Sequence, residues 1–168
     1  MYFAGMTILV LFVTRLGDLF GRKWPTWISA AISIPLHAGL LWSKSLTLTT
    51  VLLFFFGATA PGREQVSFVY MCELVPIRHR TYVGSLLLLF DATTILTFSL
   101  YYKFVSNQYL YFQYVSLGLN IIATFALLIC PESPKYLHGK GAFIKAKKAL
   151  AFIARFNGVK NYNSEFNF

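Results

Sequence analysis

Acidic residues are scarce in this chain: 6 Asp and Glu stand against 15 Lys and Arg among 168 residues, and charged residues of both signs reach only 12%. With 57% hydrophobic residues and 18% aromatics, this composition excludes a disordered segment and argues against a water-soluble fold. Cysteine is nearly absent as well. Cys72 and Cys130, each at the end of an apolar run, have no spacing for a metal cluster, a redox pair or a disulfide scaffold. No nucleophile stands with a base, and no metal cluster or phosphate loop is present in the sequence, so neither an enzyme nor a cofactor is expected. The formal charge of +9 would suggest a nucleic-acid partner in a soluble protein. In so apolar a chain its meaning depends on where the charges sit.

Apolar runs of the length a bilayer requires, about 20 residues at 1.5 Å rise, dominate the sequence. Five spans are expected, over about 1–16, 27–42, 46–72, 82–102 and 109–130. Met1 begins inside apolar sequence with no cationic leader and no cleavage site, which argues against a signal peptide and for a start within a longer chain. Alternating spans put Arg15, Arg22 and Lys23, then Arg78 and Arg80, then Lys135, Lys140, Lys145, Lys147, Lys148 and Arg155 on one side of the membrane. Only Lys44 and Lys103 fall on the other, so the positive-inside rule makes the basic side cytoplasmic. No nucleic-acid surface is then needed to explain the charge. Trp24, Trp27, Trp42, Tyr101, Tyr102, Tyr109 and Tyr111 sit at span ends, as interfacial belts do, although the same rings could serve as core aromatics.

Beyond the last span the pattern changes. Phe143, Ala146, Leu150, Ile153 and Ala154 recur at helical spacing while Lys145, Lys148 and Arg155 take other faces, and Asn157-Gly158 supplies a stop. The expected organisation is a transmembrane bundle over 1–137, a cytoplasmic amphipathic helix within 138–158, and a loose tail over 159–168.

Three loop segments carry more than topology. Thr14-Arg15-Leu16-Gly17-Asp18-Leu19-Phe20-Gly21-Arg22-Lys23 lies between the first two spans, with Gly17 and Gly21 free to take positive φ in a tight turn. Tyr70-Met71-Cys72-Glu73-Leu74-Val75-Pro76-Ile77-Arg78-His79-Arg80 follows the third span, and Pro131-Glu132-Ser133-Pro134-Lys135-Tyr136-Leu137 follows the fifth. In this order the segments resemble the major facilitator superfamily. The first is similar to its G-x-x-x-D-R-x-G-R-K loop between helices two and three. The second resembles the E-x-x-P-x-x-x-R segment after helix four, and the third the P-E-S-P-R segment after helix six. The resemblance covers nearly the whole chain, and the amphipathic helix is similar to those of the sugar-porter, organic-ion and synaptic-vesicle-glycoprotein branches.

The resemblance implies an all-α, multi-pass transmembrane helix bundle: a partial amino-terminal half of the superfamily fold, covering helices two to six, followed by the amphipathic helix. Helix one and the carboxy-terminal half would belong to the full product. It also implies that Asp18, Arg22, Glu73, Arg80 and Glu132 form a cytoplasmic charge network that latches two six-helix halves and opens during transport. A static set of charges that merely orients helices would use the same residues. Four positions depart from the family pattern: Thr14 replaces its first glycine, Leu19 its usual basic residue, Lys135 its arginine, and Thr81 a common glycine. Lys135 keeps the charge but loses the bidentate fork, so a weakened latch is expected.

Within the spans stand Arg63, Glu64 and Asp91. An ionised group at the bilayer centre costs at least about 2.5 kcal/mol on insertion scales, so these residues mark a cavity or a pair and are the candidates for solute binding or coupling. Counting at 1.5 Å per residue puts Arg63 about 15 Å inward from Glu73 and Asp91 at a similar depth from Tyr82, which makes an Arg63–Asp91 ion pair feasible. Glu64 is turned about 100° from Arg63, toward another helix or the helix one that the resemblance places outside this chain. Pro61-Gly62 would loosen the backbone just before them or simply kink it. His37 is expected to be packed or hydrogen-bonded rather than a metal ligand.

The expected partners are the lipid bilayer and a small-molecule solute. The first reading of function is a transporter, or part of one, moving a small charged organic solute by alternating access. A non-transporting membrane subunit derived from such a half is an alternative from a different class. A sugar transporter is a third, less favoured because Leu53 and its apolar neighbours stand where the resemblance would place an arginine.

Overall fold

The computed structural model describes residues 1–105 and 108–158, and no strand occurs among them. The elements are α1 (Tyr2–Phe20), α2 (Lys23–Trp42), α3 (Leu46–Pro61), a π-helical turn (Gly62–Val66), α4 (Ser67–Leu74), a 3-10 turn (Ile77–His79), α5 (Arg80–Phe104), α6 (Tyr109–Ile129), α7 (Pro134–Gly139) and α8 (Phe143–Phe156). Four helical segments are long and apolar enough to cross a membrane: Tyr2–Phe20, Leu46–Leu74, Ile77–Phe104 and Tyr109–Ile129. Helix α2, at 20 residues, is long enough but less apolar. The difference has a packing origin, because its Thr26, Ser29, Ser33 and His37 are all buried inside the protein.

Small residues bring the helices together. With water absent on both sides of the comparison, helices in a bilayer associate through close packing and interhelical hydrogen bonds, and both need short side chains. A Cβ on Gly5 would stand 2.1 Å from the Phe54 carbonyl oxygen, and one on Gly57 would stand 2.0 Å from that of Tyr2, so α1 and α3 cross backbone to backbone. Helix α2 approaches the π turn in the same way, with Ser29 Oγ 2.0 Å from where a Gly62 Cβ would be. Between α2 and α6 the contact is polar. Asn120 Nδ2 donates to Ser33 Oγ at 2.9 Å, and His37 Nε2 lies 2.8 Å from Gln113 Oε1, so His37 is hydrogen-bonded as its position suggested. Helix α5 is the exception, with no buried residue along its length.

Two details depart from expectation. The first span continues past Leu16 to Phe20, which takes Gly17 out of the turn and into the helix. There its missing side chain admits Val66, whose Cγ1 would lie 3.2 Å from an added Cβ, and of these two glycines Gly21 alone adopts positive φ, at 102°. The span expected over 46–72 is interrupted by the π turn. Pro61, lacking an N–H, cannot bond back to Gly57, and its ring crowds that carbonyl, which is where a helix accommodates an extra residue. Beyond the bundle, α8 turns Ala146, Ala149 and Ala154 inward and ends at Asn157, with Gly158 at φ 76°. The tail over 159–168 lies outside the described residues.

Candidate functional site

Two groups of polar residues stand out, one inside the spans and one at their basic end. The inner group is built on the π turn. The wider turn carries Arg63 back over the Phe56 ring, with its Cζ 4.5 Å from the ring centroid, and directs Glu64 toward α1, where Tyr2 Oη donates to Glu64 Oε1 at 3.1 Å. Phe56 in turn packs against His37, ring centroids 5.6 Å apart. Arg63, Glu64, Asp91 and Asn120 line one cavity of about 1010 Å³, together with Thr26, Gln65 and Ser67 and with apolar residues such as Phe68, Leu87 and Leu127. The three charged residues singled out from the sequence therefore share a cavity. The Arg63–Asp91 ion pair that their depths allow does not form among the described residues, because the guanidinium turns to Phe56 while Asp91 remains exposed on α5. One guanidinium and two carboxylates leave the lining formally acidic by one charge.

The outer group joins three loop segments. Arg22 Nη1 lies 2.5 Å from Asp18 Oδ1, one helical turn earlier, and its Nε lies 3.6 Å from Glu73 Oε2. Asp18 is 62% exposed while Glu73 is 10% exposed, so the second contact is the better shielded and less screened by water. Ser133 Oγ donates to Glu73 Oε2 at 2.7 Å and accepts from Tyr136 N at 3.1 Å, capping α7. Glu132 makes no ion pair among the described residues. Its Oε1 accepts from the backbone N–H of Arg22 at 3.0 Å, Lys23 at 3.1 Å and Ser133 at 3.0 Å, so it caps the α2 N-terminus, where unpaired amides and the helix dipole favour an anion. Gly21 makes room for it: an added Cβ would stand 2.7 Å from Glu132 Oε2. Lys23 does the converse, donating from Nζ to the Leu128 carbonyl at 2.9 Å near the end of α6. Tyr136 Oη donates to the Leu19 carbonyl at 2.7 Å, and Tyr70 Oη donates to that of Pro131.

Asp18, Arg22, Glu73 and Glu132 are thus brought together, whereas Arg80 lies apart, on a groove with α7 and α8. Sequence reasoning missed Ser133, Tyr70, Tyr136, Gln113 and Asn120. Ser133 was legible, since a serine before a proline is a helix-start signal. Gln113 and Asn120 are seven residues apart, hence on one face of α6, opposite Ser33 and His37, which are four apart on α2.

A family model described as sugar (and other) transporter matches residues 1–167 of the chain. Among curated proteins, solute carrier family 22 member 15 of Xenopus tropicalis is 29% identical over 163 residues, covering 95% of this chain and 30% of that protein. Organic cation transporter 1 of Caenorhabditis elegans is 27% identical over 146 residues, covering 86% of this chain and 24% of that protein. Solute carrier family 22 member 16 of Homo sapiens is 24% identical over 140 residues, with 83% and 24% covered. The chain spans about a third or less of the length of these relatives.

Proposed function

The chain belongs to the sugar (and other) transporter family of the major facilitator superfamily and is an integral, multi-pass membrane protein; from that premise we propose that it takes part in moving a small charged organic solute across the bilayer by alternating access. The observation that carries this reading is the cavity of about 1010 Å³ that Arg63, Glu64 and Asp91, all within segments apolar and long enough to cross a membrane, line together. Ionisable groups within membrane-crossing segments are costly, and the cost is offset when a solute of complementary charge occupies the space. The acidic excess of the lining favours a cation, held by Asp91 or Glu64 with Arg63 as the internal counter-charge. One of the relatives is named as an organic cation transporter, which agrees with this charge class.

The network at the basic end supports the gating half of the proposal. Arg22 joins two carboxylates of unequal exposure, and partly buried ionic contacts of this kind are able to exist in two arrangements of similar energy. In the full-length product of the native gene, Asp91→Asn and Arg63→Gln are expected to depress uptake of quaternary ammonium or carboxylate solutes and to alter its pH dependence or its preference between them. Uptake, pH dependence and preference all remaining at wild-type levels would remove the site assignment.

A further inference from the structure

A separate cavity of about 540 Å³ lies between the 3-10 turn with the first residue of α5, α7 and α8. Its lining is of two kinds. Ile77, Phe143 and Leu150 give apolar surface, while Arg80, Lys135 and Lys147 bring three cations, and no Asp or Glu lines it. The acids nearest in sequence to these elements are committed elsewhere: Glu73 to Arg22 and Ser133, and Glu132 to three backbone amides. Arg80 Nε is buried and makes no hydrogen bond. The family motif would have placed Arg80 in the charge network, and the structure instead turns it to this groove.

Position narrows what could fill it. Ile77 and Arg80 open the Ile77–Phe104 span, so the groove sits where the bundle leaves the hydrocarbon, at the basic end. Ile77 is 80% exposed and Phe143 55% exposed, which puts apolar surface beside the cations. A small free anion would match the charges and leave that surface in water; a neutral acyl chain would cover the surface and leave three cations unpaired. A molecule with a phosphate at one end and a hydrocarbon chain at the other satisfies both. We propose that this groove holds one anionic phospholipid of the cytoplasmic leaflet. Its phosphate meets Arg80, Lys135 and Lys147, and its first acyl carbons lie on Ile77, Phe143 and Leu150. A bound lipid there would tie α8, which packs chiefly on α7, to the start of α5.

The test is native mass spectrometry of the chain purified in mild detergent, titrated with phosphatidylserine or with phosphatidylcholine of the same acyl chains. One phosphatidylserine is expected to be retained per protein, at an affinity about fivefold or more above that of phosphatidylcholine. Lys135→Gln with Lys147→Gln changes two exposed side chains that the fold does not need, and is expected to lower phosphatidylserine affinity about 25-fold at about fivefold per cation. Lys145→Gln with Lys148→Gln, on α8 but outside the groove, is expected to change it by less than about twofold. Equal retention of the two lipids would overturn the proposal. So would an equal loss in both double variants, which indicates diffuse surface charge, or displacement of the lipid by equimolar inorganic phosphate, which indicates a free-anion site.

Discussion

Replacing Glu132 by glutamine and by alanine separates a helix cap from an ion pair. Of the three bonds its Oε1 accepts, those from Arg22 N at 3.0 Å and Lys23 N at 3.1 Å cross from the α6–α7 turn to α2, and the one from Ser133 N is local. A hydrogen bond to a charged group contributes about 1.5–3 kcal/mol, and the half-exposed position of Arg22 and Lys23 argues for the low end, hence about 3 kcal/mol for the crossing pair. The α2 dipole adds about 0.5 kcal/mol. Alanine therefore costs about 3.5 kcal/mol, and glutamine, which keeps a neutral acceptor of about half the strength, roughly half that. For a chain of this size 1 kcal/mol shifts Tm by about 2–4 °C, so the expected drops are roughly 7–14 °C for alanine and 3–7 °C for glutamine. Thermal unfolding in detergent, followed by the fluorescence of Trp24 and Trp27 in the first turns of α2, reads both. Equal drops for the two variants would mean that the charge alone matters, and a drop below about 1 °C for alanine would mean that the cap contributes nothing.

The same assay covers the other structural expectations. Gly57→Ala, whose Cβ would meet the Tyr2 carbonyl at 2.0 Å, is expected to cost about 3 kcal/mol by forcing α1 from α3, while Gly118→Ala, with nothing within 4 Å, stays within about 0.5 kcal/mol or gains from helix propensity. Glu73→Gln is expected to cost about 1–3 kcal/mol through Arg22 and Ser133, whereas Asp18→Asn, at 62% exposure, costs less than about 1 kcal/mol. A larger loss at Asp18 than at Glu73 would contradict the ordering by burial. Asn120→Ala, which removes the Ser33 bond between α2 and α6, is expected to cost about 0.6–1.7 kcal/mol, and no loss would show that the bond is replaced by another partner.

Much of this was legible in the sequence because membrane helices announce themselves by run length and their loops by charge. The helical runs, the Gly21 turn and the Phe143–Phe156 helix follow from those signals, and Glu132 and Glu73 could be placed at one end of the bundle. What the residues do there was less legible. Glu132 next to basic loops reads as an ion-pair partner, and only the approach of the α6–α7 turn to the first turn of α2 makes it a cap. Arg63 and Asp91 stand at matching depths, which suggests a pair. Depth says nothing of azimuth, and the π turn at Gly62–Val66 rotates Arg63 onto Phe56 instead. The small residues that set the crossings, Gly5, Gly57 and Gly62, look like ordinary membrane-helix glycines until the facing backbone is known.

Cys130 lines the same cavity as Arg63, Glu64 and Asp91, which gives a direct reporter of its occupancy. In the full-length product with Cys72 and any other accessible thiol replaced by serine, the measurement is the rate of Cys130 alkylation by a small maleimide, with and without a quaternary ammonium solute. If the cavity is the solute path, the solute at ten times its Kd slows alkylation by about tenfold, and Asp91→Asn abolishes the protection. A rate indifferent to a solute that the protein demonstrably transports would contradict the assignment of this cavity.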